Sequence, residues 1–144
     1  MTSKDVSKLF PIGTGQATPE KLADAADAMQ VLWAYLMTGL SDLGEDGIDP
    51  RLISNISPPL AAAAQMASTT FTTLSWIAGT YGSRPDLYEH EEGPLNECTD
   101  MAATLLRQAS EQQRALSNTI DDIGRFTSCV RTRTPKNEAA QQDS

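Results

Sequence analysis

The sequence predicts an all-α fold: a three-helix antiparallel bundle with coiled-coil-like seams. Three observations carry that expectation. First, between Leu95 and Phe126 two rows recur every seven residues, Leu95, Ala102, Ala109, Leu116, Ile123 and Cys98, Leu105, Gln112, Thr119, Phe126. The alternating three- and four-residue intervals belong to a helix that buries one narrow stripe against other helices. Second, two earlier stretches repeat the spacing. Third, each stretch opens on a helix-start signal and is bounded by Gly- or Pro-containing turns.

With 144 residues the chain has enough length for one domain and a modest core. Aromatic residues make up only 6%, so that core rests on Leu, Ala, Met and Ile. In order, residues 1–17 read as a flexible leader, broken by Pro11, Gly13 and Gly15. Leu9, Phe10 and Ile12 give it a small apolar cluster able to dock elsewhere.

Thr18-Pro19-Glu20 starts helix A, with Thr18 as N-cap, Pro19 in the first turn and acidic Glu20 and Asp24 at the positive end of the dipole. Helix A runs to about residue 43 on the rows Leu22, Met29, Leu36, Leu43 and Ala26, Trp33, Leu40, and Gly44 and Gly47 stop it. Asp49-Pro50 opens a short helical turn through about Asn55. Ser57-Pro58-Pro59 is then the cap of helix B, about 58–81, on the rows Leu60, Ala67, Leu74, Tyr81 and Ala64, Phe71, Ala78. Residues Ser68–Thr70, Thr72 and Thr73 favour strand, but the heptad spacing continues on both sides and decides for helix. Helices A and B both begin small (Ala25, Ala26; Ala61 to Ala64) and end large (Trp33, Leu36, Leu40; Phe71, Leu74, Tyr81). Antiparallel pairing of A with B therefore sets large against small at both ends.

Residues 83–94 form an acidic connection. Gly93-Pro94 then starts helix C, about 94–127, with Glu97 and Asp100 early and Arg107, Arg114 and Arg125 later, in the sense the helix dipole favours. The helical domain thus covers 18–127, and 128–144 read as a disordered polar tail.

The net charge is −8, and residues 18–127 alone carry 6 Lys/Arg against 16 Asp/Glu. An acidic body argues against nucleic acid and against an anionic membrane surface. Leu52 to Ser83 is free of charge, but its two prolines, Asn55, Gln65 and many Ser/Thr rule out a membrane span. The first residues show no apolar signal-peptide core. Cys98 and Cys129 form no metal or disulfide spacing and read as reduced thiols, so the expected location is cytoplasmic.

No motif carries chemistry. His90 with Asp86, Glu89, Glu91 and Glu92 is the one concentration of metal-ligand types, and it reads as a solvated acidic loop without the Glu-x-x-His of metal-binding bundles. The pairs Asp121-Asp122 and Glu91-Glu92 point apart if helical and make no acid–base dyad. Gly13-Thr14-Gly15 lacks the rest of a phosphate loop. The expectation is therefore no enzyme, no cofactor and no metal.

One motif resembles a known family. Tyr88-x-x-x-Glu92 after helix B is similar to the Tyr-x-x-x-Asp/Glu of small acidic helical hairpins exported by type VII secretion. The Trp-x-Gly of that pattern is missing from the turn between A and B, and helix C has no counterpart in it. That resemblance implies a secreted helical-hairpin substrate as an alternative function. A small-molecule or metal-binding bundle is a further alternative.

The leading expectation is a non-enzymatic protein–protein interaction module: a scaffold, adaptor or accessory subunit. Helix C, at roughly 51 Å, outreaches helix A, at roughly 39 Å, leaving seam that the chain does not cover. Three helices are also one short of the common four-helix arrangement, which points to a homodimer or hetero-oligomer. The candidate interaction seam is Leu105, Gln112, Leu116, Thr119, Ile123 and Phe126, with Gln112 and Thr119 as polar register-setting positions. Trp33 and Trp76 are candidate aromatic anchors, Trp33 being placed in the core by its row.

Overall fold

The computed structural model describes residues 3–47, 50–84 and 95–130. Their regular structure is entirely helical: α1 (Ser3–Leu9), α2 (Pro19–Gly47), α3 (Pro50–Tyr81) and α4 (Leu95–Thr127). The chain divides into two compact units, 1–48 and 49–144.

In the first unit, residues expected to be an irregular leader form α1. Asp5 in its first turn and Lys8 in its last suit the helix dipole, and the Phe10 amide closes the end onto the Val6 carbonyl at 2.9 Å. Phe10, Pro11 and Ile12 line a hollow of about 160 Å³ with Lys21, Leu22 and Ala25 of α2. At the start of α2 the Lys21 amide donates to Thr18 Oγ1 at 3.3 Å, the expected N-cap. Hydrogen bonds from its own amide and from Thr18 hold the Glu20 carboxyl below its ordinary pKa. Gly44 has φ 62° and ψ 178°, so regular α2 ends at Leu43 and one further turn follows. The half-buried line of α2 is Ala25, Ala28, Leu36, Gly39 and Leu40. Trp33 lies roughly 60° around the helix from Leu36 and is 56% exposed, which corrects its expected place in the core.

In the second unit, α3 is continuous from Pro50 to Tyr81, with Pro58 and Pro59 inside it. The expected helix start at residue 58 is therefore corrected. Two interior prolines remove the ladder donors for the Ser54 and Asn55 carbonyls. Both prolines are exposed, so the freed carbonyls lie toward solvent. The Ser57 hydroxyl meanwhile donates to the Ile53 carbonyl at 2.7 Å, and Ser57 itself is buried. Packing of the first turns against α4 offsets the proline cost, about 3 kcal/mol for each in an unsupported helix. The Ser/Thr patch is helical, as the spacing requires. Thr69, Thr70, Thr72 and Thr73 each donate to the carbonyl four residues back, at 3.0 to 3.3 Å.

The helix packing in this unit is α3 against α4, where the sequence reading paired helix B with helix A. The two run antiparallel: Ser117 Oγ donates to the Ala61 carbonyl at 2.9 Å, Ser110 Oγ to the Ser68 carbonyl at 2.9 Å, and Ser75 Oγ to the Ala103 carbonyl at 2.8 Å. Buried side chains are small throughout: Ser57, Ala61, Ala64, Ser68 and Ala78 on α3, Ser110 and Ser117 on α4. Ser110 Oγ also lies 3.0 Å from Ser68 Oγ, which can donate to it, and 2.8 Å from Thr72 Oγ1. Side chains this small let the two backbones come close enough for each serine to reach across to the other helix. Gly124 marks a close approach, since a Cβ there would stand 2.9 Å from Ser57 Cβ.

Candidate functional site

The rows of α4 that pack on α3 are Ala103, Ser110, Ser117, Gly124 and Thr99, Leu106, Gln113, Ile120, Thr127, every one of them buried or half-buried. They are offset by one residue from the rows picked out by hydrophobicity. An offset of one residue is about 100° of rotation. The candidate interaction seam therefore lies on the flank of α4, beside the face that packs on α3. Leu105 is 55% exposed, Leu116 44%, Ile123 45% and Phe126 75%, and Gln112 and Thr119 are exposed as well. The structure brings all six residues onto one outward stripe of a single helix.

The charge pattern of α4 separates cleanly around this stripe. Glu97, Asp100, Arg107, Glu111, Arg114, Asp121, Asp122 and Arg125 are the described charged residues of the helix. None falls on the rows that pack on α3, and none on the outward stripe. Four of the seven heptad positions are thus free of charge, while α3 covers only two of them. Solvent-facing helix surface is ordinarily where charges collect, so an uncharged, apolar and uncovered stripe is the feature that asks for an explanation.

The two sides of the α3–α4 pair differ. One carries an open groove of mixed character, about 340 Å³, lined by Pro58, Ala61, Ala62 and Gln65 of α3 and Ser117, Asn118 and Asp121 of α4. Helical periodicity places the outward stripe of α4 on the other side, together with Ile53, Leu60, Leu74 and Tyr81 of α3. Leu60 is half-buried there, and Ile53, Leu74 and Tyr81 remain partly exposed.

Trp76 is 72% exposed on α3, and Trp33 lies in the other unit, so the two candidate anchors do not form one site within the hairpin. Cys98 and Cys129 are both exposed. The His90 cluster, Tyr88 and Glu92 lie outside the described residues, as do residues 131–144 of the tail. Among the described residues no group of three His, Cys, Asp or Glu is placed to hold a metal ion, and no helix is long and apolar enough to cross a membrane. The Asp122–Arg125 ion pair, at 3.5 Å, is exposed and contributes little.

Hydrophobicity alone missed the Ser, Ala and Gly rows that join α3 to α4. Their signal was present as a strict seven-residue recurrence, Ala103, Ser110, Ser117, Gly124, and it becomes visible when small residues are scored with apolar ones. Comparison with protein-family models, with curated proteins and with solved structures gives no match.

Proposed function

We propose that the chain is a non-enzymatic helical interaction module that works by docking the outward stripe of α4 onto another protein helix. The observation that carries this reading is the uncharged stripe Leu105, Gln112, Leu116, Thr119, Ile123 and Phe126, left open beside a hairpin already joined by its own separate rows. Apolar residues arranged at alternating three- and four-residue intervals on an exposed helix match the surface that a partner helix fills. Exposed Trp76 is a further anchor of the type enriched at interaction hot spots. A scaffold, adaptor or accessory subunit is the role such a surface serves.

The test is purification of the full chain from its native cell with identification of what accompanies it, beside sedimentation of the pure protein. The expected result is a stoichiometric complex or oligomer that Leu116→Glu disrupts without loss of helix content. A compact monomer at micromolar concentration that captures nothing overturns the proposal.

A further inference from the structure

Resting on that reading, we infer that the occupant of the stripe is a second copy of the same chain, with α4 antiparallel to α4 of its partner about a two-fold axis passing Gln112. The stripe runs from Cys98 to Phe126 in alternating steps of four and three, and Gln112 is its midpoint. Turned about that midpoint, the row Cys98, Leu105, Gln112, Thr119, Phe126 falls on itself, and the row Ala102, Ala109, Leu116, Ile123 does so to within one residue. Cys98 meets Phe126, Ala102 meets Ile123, Leu105 meets Thr119, and Ala109 meets Leu116. Each of these four layers couples a smaller side chain with a larger one, the arrangement that fills space evenly. A parallel pairing would set Phe126 on Phe126 and Ala102 on Ala102, crowding one layer and leaving the other empty.

The one residue that meets its own copy is Gln112. Its amide carries a donor and an acceptor, so two such amides related by a two-fold axis satisfy each other reciprocally. A polar residue at a single seam position is the known means of fixing register.

Two further observations support a second copy over a different partner. The stripe carries no charge although the chain is at −8, so two copies meet there without like charges opposing. An acidic protein selecting a basic partner would place carboxylates on the contact rows, and here they lie elsewhere. The second observation concerns α3. Ser68 is level with Ser110, which puts Ala67 beside Glu111, one residue from Gln112. Ala67 is also the midpoint of the α3 row on the same side, where Ile53 would meet Tyr81 and Leu60 would meet Leu74. A single two-fold axis must serve both helices at one height, and these midpoints meet that requirement. The product is a four-helix bundle of two hairpins.

The experiment uses the full chain carrying Cys98→Ser and Cys129→Ser, with helix content of each variant checked by circular dichroism. Sedimentation is expected to give a dimer at micromolar concentration. On oxidation, Gln112→Cys alone is expected to cross-link most of the protein. Leu105→Cys alone and Thr119→Cys alone are expected to stay uncross-linked, and a mixture of the two to cross-link. Self-cross-linking of both single variants, with none gained on mixing, indicates parallel pairing and overturns the inference. A monomer that captures a different protein, in a manner abolished by Leu116→Glu, overturns the second copy while the interaction reading stands. A monomer that captures nothing overturns both.

Discussion

Replacing Gly124 with alanine sets two opposing effects of known size against each other. Alanine in a helix interior is favoured over glycine by about 1 kcal/mol. At position 124, however, the added methyl would stand 2.9 Å from Ser57 Cβ and 3.6 Å from Ser57 Oγ. The first distance is roughly 1 Å short of ordinary carbon–carbon contact. Neither Cβ can move without its backbone, so α3 and α4 must separate. Overpacking of this kind costs about 1–3 kcal/mol, which leaves the variant destabilised by roughly 1 kcal/mol once propensity is counted. Urea unfolding followed by circular dichroism at 222 nm reads this as a lower midpoint at unchanged slope. The diagnostic comparison is made in a Ser57→Gly background, where the obstructing Cβ is gone. There Gly124→Ala should stabilise by about 1 kcal/mol, giving a coupling of roughly 2 kcal/mol between the two positions. If Gly124→Ala stabilises both backgrounds equally, the close approach of the helices at this level is refuted.

Other substitutions probe the remaining contacts. Ser110→Ala removes a hydroxyl that donates to the Ser68 carbonyl and accepts from the Ser68 hydroxyl, and should lower stability by about 1–3 kcal/mol in the same urea assay. Ser117→Ala, which loses one bond to the Ala61 carbonyl, should cost about 1 kcal/mol. Thr18→Ala removes the cap of α2 and should cost about 1 kcal/mol of local helix stability, read by amide exchange over the first turn. The Glu20 carboxyl has its pKa lowered in the folded chain, so its contribution is complete above the unfolded value and disappears as the pH falls through the lowered one. Amide protection in that first turn should therefore fall on acidification, and Glu20→Gln should remove that part of the pH dependence.

The extents of the helices were largely legible. Glycine, proline and cap residues act locally, and Thr18, Gly44 and the heptads of α4 act as their chemistry requires. Pro58 and Pro59 were misread because a proline pair after serine is a start signal only where nothing supports the preceding turn. Here that turn is held by Ser57 against Gly124, a contact between residues far apart in sequence. The orientation of α4 escaped for a different reason. Two sets of rows share the same three- and four-residue spacing, one residue apart, and hydrophobicity ranks the Leu, Ile and Phe set above the Ser, Ala and Gly set. The ranking follows the area each side chain can bury, while the α3–α4 pair is joined by close backbone approach and serine-to-carbonyl bonds across the interface.

That inversion bears directly on function. Had the large rows faced α3, the hairpin would have buried its own apolar stripe and left a charged surface outside. Because the small rows face α3, the large ones stand outward, and the order of their sizes becomes meaningful. From Cys98 to Ala109 the stripe is mostly small, and from Leu116 to Phe126 mostly large, with a polar amide between the halves. A stripe that served only one internal contact would need to match the residues of α3. A stripe graded about its own midpoint matches itself when reversed, and the evenness of its layers depends on that reversal. Exchanging Ala102 with Ile123 keeps composition, charge and total volume unchanged and still pairs the two residues across the axis. The double variant Ala102→Leu with Leu116→Ala keeps them unchanged too, but it sets a leucine against Ile123 in one layer and an alanine against Ala109 in another, overfilling the first and emptying the second. The first exchange should therefore preserve self-association and the second should weaken it, a contrast that hydrophobicity alone would not produce.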